Sequence, residues 1–336
     1  MTYTRVVVTG GGGFLGKALC LRVCVMGRDV ISVGRGVYPE LVHEGIRVVQ
    51  ADLADASIDW ERILSDVSSV FHTAAKVEMW GAYDDFFAVN VLGTRRLIEA
   101  CRRAGVRRLV FTSSPSVIAD GTDLCGVDES YPYPARYDAF YPMTKAMAEK
   151  EVLAANARDG LHTIALRPHL IWGPGDRKLV PKILSHARAG KLVRIGSGNN
   201  LVDLTYIDDC VSAHLLAERA LEDNPWARGK AYFISQGEPV PLWAWIAQVL
   251  KRNKLPPLKR SIPKWLALGA ASVLEAVAGV EREPRFTRFL VKEMATSHYF
   301  DISAAKRYLG YEPKVSIERA LDLTFGPLEP EPPMAA

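Results

Sequence analysis

The chain has 336 residues, 49% hydrophobic and 24% charged, the balance of an ordinary globular protein with room for one large or two smaller domains. Such a composition excludes a disordered tail protein and a collagen-like fibre. Forty-two basic against 38 acidic residues leave a formal charge of +4, too weak and too evenly spread to single out nucleic acid as a partner.

Met1–Arg5 runs directly into a β-branched stretch with no signal-peptide pattern. The five cysteines (Cys20, Cys24, Cys101, Cys125, Cys210) are odd in number and irregularly spaced. Cys20 and Cys24 share a helix face but have no neighbouring His or Cys to complete a zinc site, so buried free thiols, no metal and a cytoplasmic location are expected.

Arg5–Thr9, Val30–Val33, Ile46–Gln50, Ser69–His72, Arg108–Thr112 and Thr163–Leu166 read as short strands, apolar on both faces as buried parallel strands are. Helical patterns lie between them, notably Phe86–Ala104 and Thr144–Ala157. This alternation predicts an α/β fold, a doubly wound parallel sheet over residues 1–173. Helical patterns then dominate (Val180–Ala189, Asp208–Ala220, Leu242–Lys251, Trp265–Ala278, Arg285–Met294), with a strand pattern at Ala231–Ser235. Residues 174–325 are therefore expected to form a smaller, mostly helical substrate lobe interleaved with elements returning to the sheet. Residues 326–336, with four prolines, are expected to be a frayed tail. Trp265–Val280 is almost wholly apolar, but it carries Ser272 and Glu275 and falls short of the roughly 20 residues of a span. It reads as a buried or half-buried helix, or as a lipid-facing or substrate-channel one.

Gly10, Gly13 and Gly16 follow the first strand and open the first helix in G-x-x-G-x-x-G spacing, with Phe14 and Leu15 between them. Glycine there lets the backbone turn and approach a pyrophosphate, which the free N–H groups of the helix end then bind. Asp52-Leu53 ends the third strand, where the carboxylate serves either an adenine amino group or a helix N-terminus. Ala74, Ala75 and Lys76 end the fourth strand with small residues over which a dinucleotide can lie. Asn90 sits on the next helix, as a ligand or as a polar residue bonded to backbone. The second strand ends in Gly34-Arg35-Gly36, with no carboxylate between Ile31 and Pro39. A carboxylate at this point accepts from the ribose of NAD, whereas an arginine matches the extra phosphate of NADP, so NADP(H) is the expected cofactor.

Tyr141 and Lys145 lie four apart at a helix start, and Ser113-Ser114 end the fifth strand, at the carboxyl edge where open sheets bind ligands. A phenol beside an ammonium and a hydroxyl suits proton transfer to a carbonyl oxygen. These motifs, with His72-x-Ala-Ala and Arg167-Pro168, resemble the extended short-chain dehydrogenase/reductases over residues 5 to about 325. Within them the chain is most similar to the 3β-hydroxysteroid dehydrogenase branch, and in it to the 2-alkyl-3-oxoalkanoate reductases of bacterial long-chain olefin biosynthesis. The stretches that carry this are Gly10–Cys20, Ala165–Asp176, Asn200–Asp208, Lys230–Pro239 and Thr287–Val291.

The resemblance implies Tyr141 as proton donor, Lys145 tuning it and binding the nicotinamide ribose, and Ser114 as the catalytic hydroxyl. It implies Ser113 and Pro168 beside the nicotinamide, with Asp52, Leu53, Ala74 and Asn90 in their motif roles. It further implies a long-chain 2-alkyl-3-keto acid substrate, a homodimer and association with other olefin-pathway enzymes. Trp243, Trp245, Trp265 and Leu266–Val280 fall where this family builds its substrate pocket, or are lobe core. Pro115-Ser116 departs from the steroid enzymes, which weakens the alternative of a 3β-hydroxysteroid or sterol dehydrogenase. A sugar-nucleotide epimerase and a non-catalytic dinucleotide sensor are more remote alternatives.

Overall fold

The computed structural model describes residues 5–280 and 283–328, so of the expected tail residues 329–336 lie outside the described residues. Seven parallel strands form the central sheet: β1 (Arg5–Thr9), β2 (Val30–Gly34), β3 (Arg47–Gln50), β4 (Val67–His72), β5 (Arg108–Thr112), β6 (His162–Pro168) and β7 (Lys230–Ile234). Their spatial order is β3-β2-β1-β4-β5-β6-β7, which reverses direction between β1 and β4 and opens a crevice at the strands' carboxyl ends. The fold is the expected doubly wound, Rossmann-like sheet. Its outer strand, β7, comes from the second half of the chain and pairs Lys230–Ile234 with Ile164–Pro168.

The alternation of strand side chains divides the core in two. Val6 and Val8 join Leu19, Val23 and Val211 on one face, while Val7 joins Leu97, Leu109 and Ala148 on the other. Helix α1 (Phe14–Val25) covers the first face. Helices α2 (Gly93–Arg103) and α3 (Phe140–Ala154) cover the second. The single helix expected over Phe86–Ala104 is three pieces: a turn of α-helix at Tyr83–Phe86, a wide π-helical segment at Phe87–Leu92, and α2. Asn90 sits in the π segment, a form that concentrates at functional sites.

The later helices are α4 (Leu179–Arg188), α5 (Ile207–Asp223), α6 (Leu242–Arg252), α7 (Lys264–Ala278) and α8 (Arg288–Ala295). Helix α5 returns to the sheet and packs on α1. Helix α8 starts at Arg288 rather than at the expected Arg285, because the Thr287 hydroxyl accepts from Leu290 N–H (3.1 Å) and caps it there. Three short segments of the second half of the chain and one of the first also form a small sheet that periodicity did not reveal. It orders Val240–Pro241, Leu201–Val202, His298–Phe300 and Leu124–Val127, strands too short to show a period of two. Trp243 and Trp245 are buried, with Trp245 edge-on to Trp172 at 5.3 Å and Trp243 donating to the Met294 carbonyl (3.2 Å), so both are lobe core. Trp265 is exposed. Of the paired thiols expected to be buried, Cys20 is buried and Cys24 only half-buried.

Candidate active site

The β1–α1 turn is built by steric necessity. Gly10 has φ +73°, and a Cβ there would lie 2.8 Å from the Ala74 Cα; a Cβ on Gly16 would collide with the Gly10 carbonyl. Gly13 N–H donates back to that carbonyl (2.8 Å), and the first helical bond runs from Lys17 N–H to the Gly13 carbonyl. The N–H groups of Phe14, Leu15 and Gly16 thus precede the hydrogen-bonded run. No acidic side chain occupies the first turn and no side chain caps it. This helix end is open for an anion. Leu15 is anchored in the core, whereas Phe14 is half-buried.

Arg35 is exposed at the tip of β2, its carbonyl held by Gln50 Nε2 (2.8 Å). Tyr38, not foreseen from the sequence, folds its ring against Gly34 and Gly36 and accepts from Gly36 N–H (3.1 Å). At the end of β3, Asp52 accepts from Ala54 N–H (3.0 Å) in a tight turn, while the next helix is capped by Asp59. The helix-cap alternative for Asp52 is thereby removed. Leu53 is buried against Gly93.

His72, at the end of β4, is clamped between the hydroxyls of Thr9 (2.7 Å) and Thr94 (2.9 Å). Burial pushes its pKa down to about 3, so it is a neutral strut. Ala74 and Ala75 follow half-buried. The turn is then fixed by Asn90, whose side-chain oxygen accepts from Lys76 N–H (2.8 Å) and whose amide donates to the Lys76 carbonyl (3.1 Å) and Thr144 Oγ1 (3.0 Å). Asn90 is thus the buried tie between the β4 turn and α3. The Lys76 ammonium leans on the Phe86 ring and lies 3.6 Å from Asp85.

The candidate catalytic group assembles from β5 and α3. Tyr141 stands in the first turn of α3, and burial is the main cause that pushes its phenol above the ordinary range. A hydrogen bond from Ser114 opposes that shift, and the Glu293 charge adds to it. Ser114 also shares a hydrogen bond with the Ser116 hydroxyl (2.9 Å). Lys145, one turn on, is buried with its ammonium donating to the Thr112 carbonyl (2.6 Å), 3.9 Å above the centre of the Phe111 ring. Burial lowers its pKa to about 7, against the opposing pull of Glu149. The sequence pairing of Tyr141 and Lys145 suggested an ammonium acting directly on the phenol. Here it is anchored on β5, and Ser114 supplies the local stabilisation.

Ser113 Oγ is buried without a partner among the described residues, an arrangement that costs free energy unless a ligand completes it. Together with the open α1 end and the glycine turn, it fits a dinucleotide laid along the carboxyl edge. Pro168 is buried at the end of β6. His169 follows it and meets His298 (2.6 Å between ring nitrogens), and His298 also contacts the Glu293 carbonyl oxygen (2.6 Å). His169, His298, Glu293, Phe289 and Phe300 line a pocket with Ser116. No motif marks Glu293, His298 or Phe300. Glu293 and His298 lie over 150 residues beyond Tyr141 in the chain and arrive only by packing of α8 and the small sheet.

The sequence profile of the 3-beta hydroxysteroid dehydrogenase/isomerase family matches residues 7–263. A 2-alkyl-3-oxoalkanoate reductase of Shewanella oneidensis is 43% identical over 94% of this chain and 84% of its own length. One from Stenotrophomonas maltophilia is 43% identical over 94% of this chain and 97% of its own length. A sterol-4-alpha-carboxylate 3-dehydrogenase (decarboxylating) of Mus musculus is 34% identical over 95% of this chain and 90% of its own. Among solved structures, MoeE5 in complex with UDP-glucose and NAD superposes with a TM-score of 0.73 and 27% identity, covering 96% of this chain and 97% of that one.

Proposed function

This chain belongs to the 3-beta hydroxysteroid dehydrogenase/isomerase family and is an oxidoreductase acting on hydroxyl and keto groups; within that family we propose that it reduces a 2-alkyl-3-oxoalkanoate to the 2-alkyl-3-hydroxyalkanoate with NADPH, reversibly, in long-chain olefin formation. The observation that carries the substrate class is the 43% identity to two reductases of that name along nearly the whole chain. The chemistry rests on Ser114, Tyr141 and Lys145 converging at the carboxyl edge of β5.

Bound along that edge, the nicotinamide supplies a hydride to the keto carbon. The α1 end and Gly10, Gly13 and Gly16 would hold its pyrophosphate, Asp52 and Leu53 the adenine, and Arg35 the 2′-phosphate. Ser113, Pro168 and the Ala74–Lys76 turn would border the nicotinamide side, and Lys145 would bind the ribose hydroxyls. Tyr141, kept protonated by burial, gives its proton to the ketone oxygen as that oxygen gains charge. Ser114 holds the same oxygen, and Ser116 orients Ser114. Phe289 and Phe300 offer apolar surface to an alkyl chain.

A 3β-hydroxysteroid or sterol substrate is the second reading, favoured by the 34% identical sterol dehydrogenases. NADPH oxidation on adding a 2-alkyl-3-oxoalkanoate, absent without it, is the direct test. No oxidation with that keto acid would remove the proposal.

A further inference from the structure

Helix α7 buries its small residues and exposes its large ones. Over Lys264–Ala278 the buried positions are Ala267 and Ala271. Trp265, Leu266, Val273 and Val277 stand in solvent at 73, 45, 64 and 75% exposure, and Val280, just past the helix, is 57% exposed. Trp265, Gly269, Val273 and Val277 recur every four residues and form one stripe along the helix. Between Lys264 and Glu275 there is no ionisable residue, and Glu275 is drawn aside to Arg288 by two bonds of 2.6 Å. Scattered exposed apolar side chains are ordinary surface, but a continuous stripe on one helix marks a contact site.

The charge beside the stripe says what it contacts. Residues 239–274 contain six basic side chains (Lys251, Arg252, Lys254, Lys259, Arg260, Lys264) and no acidic one. Lys254, Lys259 and Arg260 are exposed, immediately before α7. Arg194 N–H donates to the Arg260 carbonyl (3.1 Å), and Arg194–Ile195 pairs with Ser261–Ile262, which adds the exposed Arg194. Arg285 in turn reaches the carbonyl of the exposed Lys191 (3.2 Å).

We infer that α7 is a peripheral membrane-docking helix: its Trp265–Val277 stripe enters the headgroup–acyl boundary of an anionic bilayer while the basic belt around Lys259 and Arg260 binds lipid phosphates. Helices of this kind lie in the interface plane, with tryptophan at the headgroup level and basic side chains towards anionic lipid. The 15-residue α7 is only about 22 Å long, and no described helix is long and apolar enough to cross a bilayer. A second copy of the chain fits less well. An isologous contact sets a patch against itself, and the exposed Lys254, Lys259 and Arg260 would meet the same basic set on a second copy. The docked helix also packs beside the pocket. Trp80, four residues past Lys76, donates to the Gly279 carbonyl (2.8 Å), and α7 packs on α8, which carries Glu293.

Flotation of the full chain with lipid vesicles tests this without any turnover, so its outcome is separate from the substrate reading. Wild type should float with phosphatidylcholine vesicles containing about a third phosphatidylglycerol, less with phosphatidylcholine alone, and less as salt rises. Val273→Asp/Val277→Asp should cut the bound fraction at least about tenfold with an unchanged melting temperature, since both side chains are already in water. Lys259→Glu/Arg260→Glu should cut it by a similar factor, at about fivefold per basic residue. Failure of wild type to float with anionic vesicles overturns the inference. So does equal flotation of the Val273→Asp/Val277→Asp variant. A wild-type dimer that this variant dissociates, without vesicle binding, assigns the face to a second copy instead.

Discussion

Glu149 and Arg167 form a buried ion pair that fastens α3 to the sheet. The Arg167 guanidinium reaches both carboxylate oxygens (2.6 and 3.0 Å), Tyr133 OH donates to the first of them (2.7 Å), and neither side chain meets solvent appreciably. Glu149 is one turn beyond Lys145 on α3, and Arg167 directly precedes Pro168 on β6. The pair therefore fixes α3, which carries Tyr141 and Lys145, against the end of β6.

Removing one member strands a charge in the core. Glu149→Gln or Arg167→Met is expected to cost about 3–5 kcal/mol in denaturant unfolding. The double variant should recover a substantial part of that loss, because no unpaired charge remains. Single and double variants of equal stability would show that the pair contributes only packing.

Tyr141→Phe should lower reductive turnover by at least the 10²–10⁴-fold roughly attributable to general acid catalysis. NADPH binding, read by fluorescence titration, should stay within a few-fold, since the phenol oxygen is the only atom removed. Near-normal turnover would move the acid elsewhere, with Glu293, whose charge acts on the phenol, one alternative.

Arg35 reads the cofactor in this account. It is exposed at the β2 tip, with Tyr38 behind the turn. Arg35→Ala should weaken NADPH at least tenfold, in line with the about 1.5–3 kcal/mol of a charge-assisted pair, and leave NADH unchanged. Equal losses for both dinucleotides would show that Arg35 does not discriminate.

Lys145 ties stability to pH. Its folded pKa is lowered to about 7 by burial, so above that pH the unfolded chain holds a proton that the folded chain has released. The unfolded state binding more protons means that stability rises with pH. Wild type should gain stability relative to Lys145→Met as pH increases from about 7 towards the ordinary lysine range. Parallel curves for the two proteins would place the Lys145 pKa near its ordinary value.

The parts of this molecule that local rules govern were legible in the sequence. Val6, Val7 and Val8 announced a strand buried on both faces. Gly10, Gly13 and Gly16 announced a turn that only glycine can make, and Tyr141 with Lys145 announced one helix face. What escaped depends on long-range packing. Glu293 and His298 enter the site from α8 and a three-residue strand, and neither has a neighbour in sequence that marks it. Helix α7 escaped for a different reason. Its residues are apolar all round, so periodicity cannot say whether the alanine side or the Trp265 side faces inward. The π segment around Asn90 likewise looks like plain helix until its backbone is seen.

The central claim is that this site handles a branched β-keto acid in preference to a steroid. The most direct measurement compares kcat/KM with NADP⁺ for 2-alkyl-3-hydroxyalkanoates and for 3β-hydroxysteroids, on the same preparation. The account predicts NADPH formation with the hydroxy acids, at least about tenfold above any steroid, because the ratio of kcat/KM reports differential transition-state binding. Turnover of the steroids with none of the hydroxy acids would contradict it.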